Sequence, residues 1–321
     1  MRYYSLSRFF RERFGFRVYK LPVYAGFTCP NRNGTISDKG CIFCWNPSFS
    51  PALGDPAASL RAQIAAGKAA VKRKEGCRFL VYFQPYTNTY APVEKLRLIY
   101  DSALADPDVI GMCIGTRPDC VPDAVLDLLA EYAARWHVWV EYGLQSAHDR
   151  TLLLLNRGHT RADFEDAVAR SQGRGLFLCA HVILGLPGET REDMLETALF
   201  LSSQPIQGVK IHHLQVIENT PLAEMYREGR VQTLGFEEYL SLVCDFLELL
   251  RPDLVIHRLV GEVLESRYLL APHWGVGKAQ VLSAIEKELE LRGSRQGSKW
   301  RQMKEEPGIA LQEGLPQQAR E

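Results

Sequence analysis

The sequence has a single Cys-x-x-Cys, no excess of either charge and no long hydrophobic run. Each shortage removes a class of protein. Eight cysteines in 321 residues are too few for a disulfide scaffold, and Cys77, Cys113, Cys120, Cys179 and Cys244 sit in or beside apolar segments, so reduced, buried thiols are expected. With 38 basic and 38 acidic residues, the chain exerts no strong overall pull on nucleic acid or an anionic membrane. No stretch approaches the roughly 18 apolar residues that span a bilayer. The opening residues, with Arg8, Arg11, Glu12 and Arg13, lack a signal-peptide core, so a cytoplasmic location without a membrane partner is the expectation. What remains is a globular chain, 46% hydrophobic and 24% charged, long enough for one large barrel or two ordinary domains.

Charge is nonetheless uneven. Residues 1–20 hold Arg2, Arg8, Arg11, Arg13, Arg17 and Lys20 against Glu12, and residues 291–304 hold Arg292, Arg295, Lys299, Arg301 and Lys304 with no acid. Such patches bind phosphates, or they are a solvated helix face and a loose tail; composition leaves both open.

The most informative stretch is Cys29-Pro-Asn-Arg-Asn-Gly-Thr-Ile-Ser-Asp-Lys-Gly-Cys41-Ile-Phe-Cys44. Thiolates are soft ligands for iron-sulfur clusters, zinc or copper, and the Cys41/Cys44 pair can grip one centre from a tight turn. Pro30, Asn31, Asn33, Gly34 and Gly40 make the intervening segment a turning loop that brings Cys29 back to the pair. Three local thiols leave one iron of a cubane cluster open to a non-protein ligand. A structural zinc site with Cys77 as fourth ligand is the other reading.

Periodicity divides the chain into strand-then-helix units. Strands are predicted at 17–26, 79–83, 109–114, 138–142, 177–184 and 208–216, and helices at 56–74, from about 92 to 105, and at 122–135, 160–173 and 190–204. Thr160 with Asp163 and Thr190 with Asp193 form capping-box starts for the last two helices. Strands returned by helical crossovers pair in parallel. The predicted fold is therefore α/β, a partial (β/α)6 TIM-like barrel over residues 1–230. A C-terminal extension at 231–291 follows, with a helix at 236–250, a short strand at 254–259 and a helix at 276–291. Residues 292–321 lose apolar periodicity and are predicted to be a disordered tail.

Ligands of parallel α/β sheets bind outside the carboxyl ends of the strands, and the unusual polar residues fall there. Cys29, Cys41 and Cys44 follow strand one, and Gln84, Asn88 and Thr89 follow strand two. Arg117 and Asp119 follow strand three, Glu141 and Gln145 end strand four, residues 185–189 end strand five, and Gln215 ends strand six. Read singly, Gln84 and Asn88 could satisfy turn backbone, Glu141 and Gln145 could pair with Arg117 or Arg157, and Glu189 could favour a helix dipole.

Three cysteines, with Phe43 before the last, on the first loop of such a barrel resemble the radical S-adenosylmethionine (SAM) enzymes. The spacing departs from Cys-x3-Cys-x2-Cys and is similar to the longer-looped branch that includes the Elongator catalytic subunit, and to a bacterial radical SAM family with Cys-Pro-Asn-Arg-(Asn/Asp)-Gly and Gly-Cys-x-Phe-Cys. The similarity runs on through Gly115-Thr-Arg-Pro-Asp119, Glu141-Tyr-Gly-Leu-Gln-Ser146, Asn156-Arg-Gly-His159 and His181-Val-Ile-Leu-Gly-Leu-Pro-Gly-Glu-Thr190. The resemblance implies a radical SAM barrel in which Cys29, Cys41 and Cys44 hold a [4Fe-4S] cluster. SAM would chelate the open iron and be cleaved reductively to a 5'-deoxyadenosyl radical, with flavodoxin or ferredoxin as reductant. It further implies that Gln84 and Asn88 contact the methionine amine, Glu141 and Gln145 the ribose, and Gly185, Gly188 and Glu189 the adenine region.

The expected substrate is a modified nucleoside in tRNA. A small-molecule or tetrapyrrole substrate, as in the related oxygen-independent coproporphyrinogen oxidases, is the enzyme alternative. A zinc-stabilised RNA-binding protein is the non-enzymatic one.

Overall fold

A computed structural model describes residues 1–50, 58–71 and 76–300. The ends of the helix predicted at 56–74 and the tail from 301 onward lie outside the described residues.

The first element is α1 (Leu6–Phe14), capped by Ser5, whose side chain accepts the Arg8 N–H, and closed by Gly15 in the left-handed region. Alternation follows through β1 (Val18–Val23), α2 (Leu60–Ala70), β2 (Arg78–Phe83), α3 (Val93–Leu104), β3 (Val109–Thr116) and α4 (Asp123–Ala133). It continues with β4 (His137–Gln145), α5 (Asp149–Leu154), α6 (Arg161–Ser171), β5 (Phe177–Leu184), α7 (Arg191–Ser203) and β6 (Gly208–His213). Both predicted capping boxes are present, on α6 and α7. The remaining elements are β7 (Val216–Ile217), α8 (Pro221–Arg227), α9 (Phe236–Leu249), β8 (Val255–Arg258), β9 (Leu269–Ala271) and α10 (Lys278–Leu291).

Seven strands pair in parallel in the order β1-β2-β3-β4-β5-β6-β8. The fold is the expected partial barrel, with one strand more than predicted. The run at 254–259, assigned from sequence to an extension, pairs with β6 as the seventh strand. The predicted sixth strand stops at His213, and Val216–Ile217 instead pairs antiparallel with β9. The sheet is curled: Lys20 of β1 reaches His257 of β8 at 3.3 Å, although these strands lie at opposite ends of the order.

Alternation along each strand sorts the side chains. Phe79, Val81 and Phe83 of β2, Val138, Val140 and Tyr142 of β4, and Leu178, Ala180, Val182 and Leu184 of β5 face outward, into the core shared with the helices. Their neighbours face the concave side. At its amino end, Phe10 of α1 packs with Leu80, Trp139, Cys179 and Val255, so α1 stoppers that end of the half-barrel. Phe9 adds edge contacts to Trp139 and Phe177.

The segment from residue 292, expected to lack order, is docked as far as it is described. The Gln296 side chain is buried, accepts the Tyr4 N–H at 2.9 Å and donates to the carbonyls of Arg251 at 2.7 Å and Leu254 at 2.9 Å. Lys299 pairs with buried Glu248. The two basic segments therefore meet, with Arg2 donating to the Ser294 carbonyl at 3.0 Å, at the end of the sheet away from the cysteine loop.

Candidate active site

Between the carboxyl ends of the strands lies a cavity of about 230 Å³ lined by Cys29, Cys41 and Cys44 together with Gln84, Glu141 and Gln145. Six of the ten residues assigned from sequence to the cluster and SAM thus converge, and Arg117 and Gln215 line the same cavity. The other four do not line it. Asn88 is fully buried and donates to the carbonyls of Phe83, Pro85 and Gly115 at 3.0, 3.0 and 2.7 Å, which fixes the turn after β2. Gly185, Gly188 and Glu189 line a separate hollow with Leu186, Pro187 and Leu234. Glu189 accepts from Ser146, and burial raises its pKa.

The cysteine loop is held by its own turns and by residues 155–159. The N–H groups of Arg32 and Asn33 bond the Cys29 carbonyl at 2.9 and 3.1 Å, and the Cys44 N–H bonds the Cys41 carbonyl at 3.0 Å. The Ile42 N–H donates to the Leu155 carbonyl at 3.1 Å, Asn156 to the Gly40 carbonyl at 2.7 Å, and Asn31 to the Asn156 carbonyl at 2.6 Å. Arg157 directs one N–H to Cys41 Sγ at 3.4 Å and another to the Gly143 carbonyl at 2.8 Å. Arg117 grips Asp119 at 2.9 and 2.7 Å and the Arg157 carbonyl at 2.6 Å, so it anchors loops and leaves Glu141 alone. Burial, with Cys41 beside it, pushes the Cys44 thiol up to about 11.

Below the thiols the floor is charged. Glu141, fully buried, accepts from Lys20 at 2.5 Å and from His181 at 2.7 Å, with Lys210 at 3.4 Å and His257 at 3.4 Å. Burial opposes its negative charge, but Lys20 and Lys210 more than offset that and hold its pKa well below the carboxylate range. Lys210 also donates to Tyr82 Oη at 2.5 Å.

A family model described as the radical SAM superfamily matches residues 29–201. The chain belongs to the radical SAM superfamily. The superfamily's C-terminal domain model matches residues 206–291. The uncharacterized protein YtqA of Bacillus subtilis is 42% identical over 310 residues, 96% of each chain. The tRNA uridine(34) acetyltransferase of Dehalococcoides mccartyi is 28% identical over 157 residues, 48% of this chain and 34% of its own. Among solved structures, Elp3 of Methanocaldococcus infernus superposes with a TM-score of 0.65 at 19% identity, covering 87% of this chain and 64% of that one, which establishes the shared fold.

Radical SAM enzymes use a [4Fe-4S] cluster and SAM, and the donor set of this radical SAM chain fits the cluster. All three thiols are free and line one cavity, and two N–H groups point at Cys41 Sγ. A single tetrahedral zinc at about 2.3 Å from each sulfur would draw them to roughly 3.8 Å apart. Among the described residues, the group of three ligand atoms found within 4.8 Å of one another is His148, Asp193 and Glu196, not the cysteines. A cubane, whose cysteines bind separate irons, suits thiols more widely spread. Among the described residues, no helix is long and apolar enough to cross a membrane.

Sequence reasoning missed the floor of the site. Lys20, Lys210, His257 and Arg258 were not singled out as site residues, although Lys20 and Lys210 are the one Lys or Arg in each of their strands. That pattern was the available signal. It also missed Arg157 and Asn156 as supports of the cysteine loop.

Proposed function

We propose that Cys29, Cys41 and Cys44 bind three irons of a [4Fe-4S] cluster, that SAM is held in the cavity against it, and that the substrate is a nucleoside in tRNA. The observation that carries the first two points is the convergence of three free thiols on one cavity at the carboxyl end of a parallel half-barrel. The tRNA assignment is supported by the partial likeness to the tRNA uridine(34) acetyltransferase, which does not extend over that protein's full length.

When bound, the cluster and SAM supply a one-electron cleavage of a carbon-sulfur bond and abstraction of hydrogen from carbon, with flavodoxin or ferredoxin as donor. The chain's own work is placement. Arg157 and Asn31 direct N–H groups at Cys41 Sγ, which fixes the position of that sulfur in the cavity. Gln84, tied to the Phe49 carbonyl at 3.2 Å, and Gln145, whose backbone sits at a φ of 76°, present polar groups to the cavity wall. Gln145 and its neighbours interrupt the β4·β5 register, the kind of irregularity that re-aims a side chain into a site. The aromatic stopper beneath closes the lower end of the barrel, which keeps water from a reactive centre.

Anaerobic reconstitution tests this reading. Wild type should take up iron and sulfide, turn brown, and release 5'-deoxyadenosine from SAM with dithionite; Cys29→Ser, Cys41→Ser and Cys44→Ser should each lose the colour and the product. A colourless wild-type protein carrying stoichiometric zinc would sink it. Mass spectrometry of tRNA nucleosides from a deletion strain grown anaerobically tests the substrate separately, and an unchanged profile counts against tRNA.

A further inference from the structure

We propose that the substrate carries an anionic group, a phosphate or a carboxylate, that seats against Lys210 and Arg258 on the floor of the cavity. This deepens the reading of the cavity as the active site and rests on it.

The strand register builds the pair. Lys210 of β6 and Arg258 of β8 are direct cross-strand partners, so their side chains are neighbours on one face, and both line the cavity. Between Val209 and Lys210 the register slips by one residue, taking His257 out of the alternation. The bulge lets consecutive residues His257 and Arg258 both face inward: one reaches Glu141, the other lines the cavity.

The charges on this floor do not balance. Lys20, Lys210 and Arg258 bring three cations, and Glu141, already shared by Lys20, Lys210, His181 and His257, brings one anion. The other cavity-lining carboxylate, Glu262, is bound to Lys278 at 2.5 Å. The remaining guanidinium groups of the cavity are engaged: Arg32 on the Cys44 carbonyl, Arg117 on Asp119, and Arg157 on Cys41 and Gly143. The Arg258 guanidinium has neither a hydrogen-bond nor an ion-pair partner among the described residues. Burial, reinforced by Arg258, lowers the Lys210 pKa to about 8 although Glu141 opposes the shift. A half-buried guanidinium with no anion of its own, beside a buried ammonium whose carboxylate is shared four ways, suits the paired oxygens of phosphate or carboxylate. On the reading above, Cys29, Cys41 and Cys44 would hold the cluster and SAM would sit with them at the rim, apart from Lys210 and Arg258.

The test uses the full chain, reconstituted anaerobically and saturated with SAM, titrated in a calorimeter with inorganic phosphate and, separately, with malonate. One site per chain is expected. Arg258→Gln should weaken the preferred anion at least about tenfold, Arg258→Lys should restore part of the loss, and SAM affinity should move less than about twofold. Preference for phosphate assigns a phosphoryl group, and preference for malonate a carboxylate. Wild type that binds neither anion, Arg258→Gln that binds as tightly as wild type, or a SAM affinity that falls in step with the anion's would each overturn the proposal. Circular dichroism and iron content verify that the variants fold, and Lys210→Met, which should weaken the same anion, replaces Arg258→Gln if that variant does not. A chain that takes up no iron defeats the active-site reading instead, and the same titrations on that iron-free chain still decide whether the anion site exists.

Discussion

Glu141 is the residue on which the interior of the barrel turns. Its carboxylate meets two ammonium groups and two imidazoles from β1, β5, β6 and β8, so four strands are tied together through one side chain. Replacing it by Gln removes the charge and strands buried Lys210, which predicts a loss of about 3–5 kcal/mol in urea unfolding, as for other broken buried pairs. A loss under about 1 kcal/mol would show that the cations relax to water instead. Glu141 was legible in the sequence as a polar residue at a strand end, but its partners were not. Lys20 and Lys210 are 190 positions apart in the chain, and only the curl of the sheet brings them to one carboxylate. The cysteines were legible for the opposite reason: their relation is set by sixteen consecutive residues rich in turn formers.

At the scale of the elements, the predicted helix starts and apolar strands lie near their true places, because caps and periodicity are local, whereas α1, α5 and α8 were not predicted. The strand at 254–259 was placed but its pairing with β6 was not, and the β7·β9 pair was missed, since a short run carries no mark of which neighbour it joins. The close packing of β3 on β4 was equally invisible. Gly111 faces His137 so tightly that a Cβ there would stand 2.0 Å from the His137 carbonyl oxygen. Gly111→Ala is therefore expected to disrupt the β3·β4 ladder, with a loss of about 2 kcal/mol or more and faster amide exchange in both strands. Exchange rates equal to wild type in those strands would refute this.

For the whole molecule, the buried histidines set the response to acid. Burial holds His181 and His213 at about 4 and His137 and His257 at about 3, against an ordinary value of 6.5. Between these values the unfolded chain binds protons that the folded chain refuses, so stability falls as pH drops from 6.5 toward 4, by up to about 1.4 kcal/mol per pH unit for each histidine. Glu141, whose folded pKa is depressed, adds to the loss below its ordinary 4.5. Denaturation midpoints should decline steadily from pH 7 to pH 5, and a flat profile would contradict it. The aromatic stopper sets a different requirement, one of timing. The helix that carries it is made before every strand of the sheet, yet Phe10 packs against Val255, Ser5 bridges to Ile256, and Gln296 bonds to Tyr4, partners made some 240 to 290 residues later. During synthesis the aromatic face of that helix can meet Leu80, Trp139 and Cys179 as those strands emerge, but its packing is complete only when Val255 arrives. The slow, long-range step of folding is thus the arrival of the last strand at the first helix, and that interval is when the nascent chain most needs protection from aggregation.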